Sequence, residues 1–366
     1  MKQKNNTTDL YGGNGSLYDD KDYDDHNELR QSLHIMSLIV YCLAFVLGVF
    51  GNGVVIWVTG FKMKKTVNTV WFLNLAVADF LFTAFLPLGV TYLALDFHWP
   101  FGNFMCKLYG TVISLNMFAS VYILVVISVD RCVSVVWPVW ARNHRSVRKA
   151  SCVSLGVWVL ALILSDINYV FRDTTPSHKD HIFCFTNYGL SDDFVTPSVN
   201  QLRQFRHQVM TITRFFLAFV VPFTVIVSSY AVIIHRLRRN RTLASQSSRP
   251  FKIIAAVITT FFLCWAPFHI IDLIELVHFT GLNQSGTLCH VIVIGVPITS
   301  TLAFLNSCLN LLLYVFMGQD FKDKVRKSIL NVLETAFQEE ETRSHTVTNS
   351  VDTSQINDKS TLNTEV

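Results

Sequence analysis

A chain of 366 residues that is 51% hydrophobic and only 15% charged is too apolar for a soluble globular domain; this is membrane-protein composition. The net charge of +4 is small and dispersed, which gives no footing for nucleic acid. No Walker-type loop, HExxH or paired CxxC marks the chain as an enzyme.

Residues 1–32 form a polar, acidic tail without the apolar core of a signal peptide, so the first membrane helix is expected to act as its own targeting signal. The tail carries sequons at Asn5, Asn6 and Asn14. Tyr18 and Tyr23 stand among aspartates in LYDDKDYDDHNE, a setting that suits tyrosine sulfation and the landing of a basic partner, and equally a plain solvated tail.

Apolar stretches of spanning length then follow at 33–60, 67–94, 104–136, 149–171, 207–236, 251–279 and 288–317. The expected fold is an all-α membrane protein, a seven-helix bundle over 33–317. Lys62, Lys64 and Lys65 follow the first stretch, Arg142, Arg145, Arg148 and Lys149 the third, and a run from Arg236 to Lys252 the fifth. Those loops read as cytoplasmic. The loops at 95–103 and 280–287 lack Lys and Arg, which places the N-terminus outside, in a plasma membrane, and with it a fourth sequon at Asn283.

The third stretch is the axis of the chain. From Cys106 to Arg131 it would run about 37 Å as a helix, and small or polar residues such as Ser114, Asn116 and Ser120 argue that it is buried inside the bundle. Most of the cysteines sit in apolar stretches as small hydrophobes, but Cys106, Cys184 and Cys289 fall at helix ends or loops on the outer side, where oxidising conditions permit a disulfide. The tail has no cysteine to reach Cys289.

Beyond the last stretch, Phe321, Val325, Ile329 and Leu333 repeat every four residues among basic ones, so 318–337 reads as an amphipathic helix on the inner membrane face. Residues 338–366 are Ser/Thr-rich and acidic, a disordered tail suited to phosphorylation at Thr346, Thr348, Ser350, Thr353 and Ser354. Its end, Thr364-Glu365-Val366, could extend a PDZ sheet edge.

Ionisable groups inside a bilayer are expensive, so each invites a functional reading. Asp79 lies near the middle of the second stretch, and Asn116, Ser120, Asn306, Ser307 and Asn310 could converge on it. Such a ring would hold a monovalent cation or water, or be a hydrogen-bonded plug without an ion. Arg214, in the outer third of the fifth stretch, would take a ligand carboxylate bidentately, or pair internally with Asp272 or Glu275. Trp265 precedes Pro267 in a natural hinge, and Pro87 and Pro222 loosen their helices likewise.

Taken together these residues resemble the rhodopsin-like (class A) G-protein-coupled receptors, over about 33–334. Asn52 looks like the first-helix asparagine, Asp79 like the sodium-site aspartate, Trp158 like the fourth-helix tryptophan and Pro222 with Tyr230 like the fifth-helix pair. The resemblance implies a Cys106–Cys184 disulfide, an Asp130-Arg131 switch completed by Tyr230, Asn310 and Tyr314, and a toggle at Trp265. HWPFG, PVWARNHRSVR, VFRDT, RPFK and LAFLNSCLN resemble the chemoattractant branch, which holds the chemerin, formyl-peptide and prostaglandin D2 type 2 receptors, and within it most resemble the chemerin receptors. Likeness to that branch implies a ligand site at Ile113, Arg214, Trp265, His269, Asp272 and Glu275, with coupling to Gi-type G proteins, phosphorylation by receptor kinases and recruitment of arrestin.

The expected ligand is a chemerin-like peptide or protein. A lipid acid or formyl peptide, and a non-signalling decoy, are the alternatives. No cofactor is expected beyond an allosteric Na+. Leu311 stands where the family has proline, the fourth stretch lacks its proline around Ser165-Asp166-Ile167, and Cys132 replaces the tyrosine of the switch.

Overall fold

A segment crossing a bilayer must satisfy its backbone internally, and every apolar stretch is helical. The computed structural model describes residues 20–176, 181–190, 196–239, 241–280 and 286–316, with side chains other than those of 20–30, 241–254, 279, 286, 289 and 310–316. In chain order the helices are α1 (Asp20–Trp57), continued by a π-turn at Val58–Lys62, α2 (Val67–Ala94), α3 (Gly102–Val136), the short α4 (Pro138–His144) and α5 (Val147–Phe171). A hairpin of β1 (Arg172–Pro176) and β2 (Ile182–Thr186) leads to α6 (Pro197–Phe215), a second π-turn at Phe216–Val220, α7 (Val221–Arg239), α8 (Arg241–Phe279) and α9 (Gly286–Phe316). Seven of the resulting spans are long and apolar enough to cross a membrane, with α6 and α7 making one.

Helix α3 is the axis, as its polar interior residues imply. Its most apolar window is 67% buried, against 17% to 44% in the other spans. It packs against α2, α5 and α7, while α9 closes the ring between α8 and α1. The shared core holds Leu75, Phe82, Ile123, Leu124, Phe261 and Trp265. Large apolar side chains such as Phe50, Leu155 and Leu263 are exposed, as they must be on a surface whose solvent is lipid.

Two spans begin earlier than hydropathy places them. Helix α1 starts at Asp20, so 20–30 of the expected solvated tail continue the first span, and the fifth starts at Pro197 rather than near 207. Both extensions are polar, which hides them from a search for apolar runs. Neither has an internal glycine or proline to stop a helix, and Pro197 supplies a first-turn start.

The end of the bundle that the Lys/Arg count makes the outer one is built on Trp99, which is fully buried and donates from Nε1 to the Gly102 carbonyl at 2.9 Å. Gly102 has φ +76°, a conformation that favours glycine and turns the chain into α3. The hairpin lies across this end: β1 and β2 pair antiparallel with Thr174 opposite Cys184, the Trp99 backbone N–H donates to the Ile182 carbonyl at 2.8 Å, and Cys106 and Cys184 form a disulfide. Replacing either cysteine by serine is expected to cost about 2–5 kcal/mol of stability and to lower the melting temperature of the purified receptor.

The sequons at Asn5, Asn6, Asn14 and Asn283, Tyr18, the 318–337 helix, the phosphorylation sites and Thr364-Glu365-Val366 lie outside the described residues, as do the side chains of Tyr23, Cys289, Asn310, Leu311 and Tyr314.

Candidate functional site

Polar side chains that sequence places inside the bundle gather at three depths. At the outer end, Arg214 on α6 donates from Nε to Asp272 Oδ2 on α8 at 3.1 Å, and its Nη2 donates to the same oxygen. The two side chains are 22% and 13% exposed, so the pair is shielded but not sealed. Of the two readings of Arg214, the internal pair with Asp272 is what the structure contains. Glu275 sits one turn on along α8, half-buried. Below the pair, His269 is 1% exposed, and neither ring nitrogen has a hydrogen-bond partner among the described residues. Its ring packs against Phe215, Phe219, Trp265 and Phe268. Trp265 Nε1 and the hydroxyl of the fully buried Thr211 are likewise buried without a partner there. Ile113 of α3 is part-buried against the core. An uncharged donor or acceptor left unmatched inside a bundle costs about 1–3 kcal/mol, so three residues in one region call for polar groups supplied from elsewhere.

Sequence reading missed Arg172. It starts β1 directly above α3, with its side chain against Gly110, where a Cβ would approach its Cγ and Nε to 2.9 Å, and it donates from Nη1 to the Cys184 carbonyl at 3.4 Å. Desolvation lowers its pKa from the ordinary arginine value, yet a guanidinium stays charged. The available signal was its charge, a basic residue at the outer end of a span where the Lys/Arg bias disfavours one. Tyr188 and His207 also line this end, stacked at 4.9 Å, with Arg206 donating to the Tyr188 carbonyl at 3.1 Å.

At mid-depth, Asn116 Nδ2 donates to Ser307 Oγ at 3.2 Å, and the Ser120 hydroxyl donates to Asn116 Oδ1 at 3.3 Å. Asn52 Nδ2 donates to the Ser307 carbonyl at 3.2 Å, joining the first and seventh spans. Asp79 is fully buried on α2, and Thr83 donates to its carbonyl at 2.8 Å. Asn306 is fully buried with neither amide atom hydrogen-bonded among the described residues. An orphaned amide in a region with a carboxylate and hydroxyls fits a small monovalent cation or water.

At the inner end the Asp-Arg pair takes unexpected partners. Arg145, just after α4, grips Asp130 bidentately, with Nε to Oδ1 and Nη2 to Oδ2 both at 2.8 Å. Arg131 instead donates to Asn68 Oδ1 on α2, and Arg145 Nη2 donates to that same oxygen. The short helix α4, absent from the sequence expectation, is what delivers Arg145. Tyr230 of α7 packs against the core. The second π-turn is tied to α3 by the Tyr122 hydroxyl, which donates to the Leu217 carbonyl at 3.2 Å. Trp158 Nε1 joins the fourth span to the second by donating to Asn74 Oδ1 at 2.9 Å.

Residues 51–314 match the model of the 7 transmembrane receptor (rhodopsin family). The chain is 48% identical to human chemerin-like receptor 1 over 311 residues, 84% of this chain and 81% of that protein. It is 44% identical to the C3a anaphylatoxin chemotactic receptor of Danio rerio over 312 residues, 85% of this chain and 80% of that one. It is 40% identical to human N-formyl peptide receptor 3 over 307 residues, 84% and 86% of the two chains. A bundle with polar residues grouped at its outer end, middle and inner end, and these likenesses over most of its length, identify the chain as a member of the rhodopsin family of seven-transmembrane receptors, signalling receptors of the plasma membrane rather than enzymes.

Proposed function

We propose that this receptor responds to a chemoattractant, a chemerin-like peptide or protein whose C-terminal segment enters the bundle from outside. The observation that carries the reading is the Arg214–Asp272 pair standing over the unmatched polar atoms of His269 and Trp265, with the unmatched hydroxyl of Thr211 one turn before Arg214 on α6. A ligand carboxylate exchanges with Asp272 on Arg214, its neighbouring amides meet His269 and Trp265, and the outer cation Arg172 adds attraction. Occupancy biases Trp265 and the hinge at Pro267, the inner ends of the sixth and third spans part, and Arg131 is released toward a Gi-type G protein. Receptor kinases and arrestin then act on the 338–366 tail, a PDZ protein takes its end, and the N-terminus with its glycans lies outside.

The test is inhibition of cyclic AMP production in cells expressing the chain, screened with chemerin-like peptides, formyl peptides and lipid acids. A response confined to lipid acids or formyl peptides overturns the peptide assignment. Uptake of ligand with no stimulated GTPγS binding makes the chain a decoy. Replacing Leu311 by proline is expected to raise agonist-stimulated signalling, and an unchanged dose-response in the same assay removes residue 311 as a limit on activation.

The same reading gives Na+ a place at mid-depth, held by Asp79, Asn116, Ser120, Asn306, Ser307 and Asn310. The ion would supply charge balance for Asp79 and so favour the resting bundle. Asp79→Asn is expected to abolish the effect of replacing NaCl by choline chloride on agonist affinity, measured by radioligand competition.

A further inference from the structure

The fourth span carries a carboxylate on a face whose solvent is lipid. Helix α5 buries one face, with Val157, Ala161 and Ser165, against the bundle, and leaves Cys152, Leu155, Val159, Leu162, Asp166 and Tyr169 exposed on the other. The exposed set recurs at steps of three and four residues with no proline to break it, so it forms one continuous stripe. Its apolar members need no partner in lipid. Asp166 does.

The depth of Asp166 follows from its neighbours. Asn168, half a turn further out on α5, donates from Nδ2 to Ser114 Oγ at 2.7 Å. Ser114 lies about 12 Å inside Cys106 along α3, so Asp166 sits within the outer half of the membrane and not at its rim. No ion pair or hydrogen bond among the described residues answers its charge: the ion pairs there are Arg145–Asp130 and Arg214–Asp272. Lys107 of the neighbouring α3 stands over the Tyr169 ring, 5.6 Å from its centroid, and Ser165 gives its hydroxyl to the Ala161 carbonyl at 2.6 Å. Beside the stripe, Gly156 has nothing within 4 Å of where a Cβ would stand, which leaves room for another helix backbone to come close.

We propose that this face of α5 is a docking surface for the transmembrane helix of a single-span protein, with Asp166 accepting from one Lys or Arg in the outer half of that helix. A three-four stripe with one charged position is the pattern by which paired helices fix register and partner, and the charge sets the sign of the partner. A second copy of this chain is the wrong occupant. Two copies share one orientation in the membrane, so a two-fold axis along its normal would set Asp166 against Asp166 at equal depth, carboxylate to carboxylate. Docking of a basic helix holds the outer end of α5 and with it the start of β1 at Arg172.

The experiment uses the full-length receptor in cells, with bioluminescence resonance energy transfer to designed single-span helices of leucine and alanine, inserted with the N-terminus outside. One helix carries a single Lys in its outer half, one carries Asp there, one carries Lys in its inner half and one is wholly apolar. At matched surface expression, wild type is expected to bind the outer-Lys helix about tenfold more tightly than the other three. Asp166→Leu should lose that preference, and Asp166→Lys should transfer it to the Asp helix, a charge reversal that a purely structural role of residue 166 would not produce. Equal binding of the outer-Lys helix to wild type and Asp166→Leu overturns the proposal. So does receptor self-association that Asp166→Leu abolishes, which would make a second copy the occupant.

Discussion

Arg214→Ala is expected to reduce the potency of a carboxylate-bearing peptide agonist by about 100-fold, because one partner of a shielded, charge-assisted pair is typically worth about 2–5 kcal/mol at an interface. The single variant carries a complication. It leaves Asp272, 13% exposed, without its cation, and an orphaned buried charge can cost about 3–5 kcal/mol of stability. The double variant Arg214→Ala/Asp272→Ala removes both charges and should recover surface expression without recovering potency. Asp272→Ala alone frees Arg214 and should hold or improve potency, since the ligand no longer competes with an internal carboxylate. Dose-response curves normalised to surface expression separate these outcomes. A double variant with wild-type potency removes Arg214 from the ligand site.

The second large effect is expected at the inner end. Arg145 holds Asp130 through two parallel bonds and shares Asn68 with Arg131, so the loop after α3 is fastened to the same network that holds Arg131, the arginine proposed to act as the switch. Arg145→Ala removes the bidentate clasp, a contribution of about 1.5–3 kcal/mol for hydrogen bonds between charged groups. Basal GTPγS binding should rise roughly tenfold if that energy favours the resting arrangement, with a smaller rise for Arg145→Lys, which keeps the charge but not the fork. Basal turnover equal to wild type in both variants would show that the clasp does not restrain activation.

Much of the architecture was legible because a bilayer makes apolar length nearly sufficient for a helix. The third span could be singled out because Ser114, Asn116 and Ser120 are intolerable against lipid, and they are buried. The disulfide followed from the family resemblance that placed Cys106 and Cys184. The polar extensions at Asp20 and Pro197 were not legible, since outside the membrane a helix needs no hydrophobic run. Helix α4 escaped for a related reason: seven residues are too few to carry a periodic signal, and its function rests on where it leaves Arg145. The candidate ligand site was half-readable. Arg214, Asp272 and His269 stand out as polar residues in apolar text, whereas Arg172 offers only a single charge just past the end of a span, and its place over Gly110 comes from the folding of the hairpin.

The fifth span is 43 residues long, which as helix is about 65 Å, twice the hydrocarbon thickness of a bilayer. It is therefore long enough to reach from the water on one side to the water on the other, and so to serve as a lever. Its π-turn at Phe216–Val220, pinned to α3 through Tyr122, would be the pivot. A protein ligand leaning on the part of the rod beyond the membrane would turn it about that pivot, and the inner arm would swing without the ligand having to reach the centre of the bundle. Efficacy could then be divided between a ligand's tail inside the receptor and its body outside, two inputs added on one shaft.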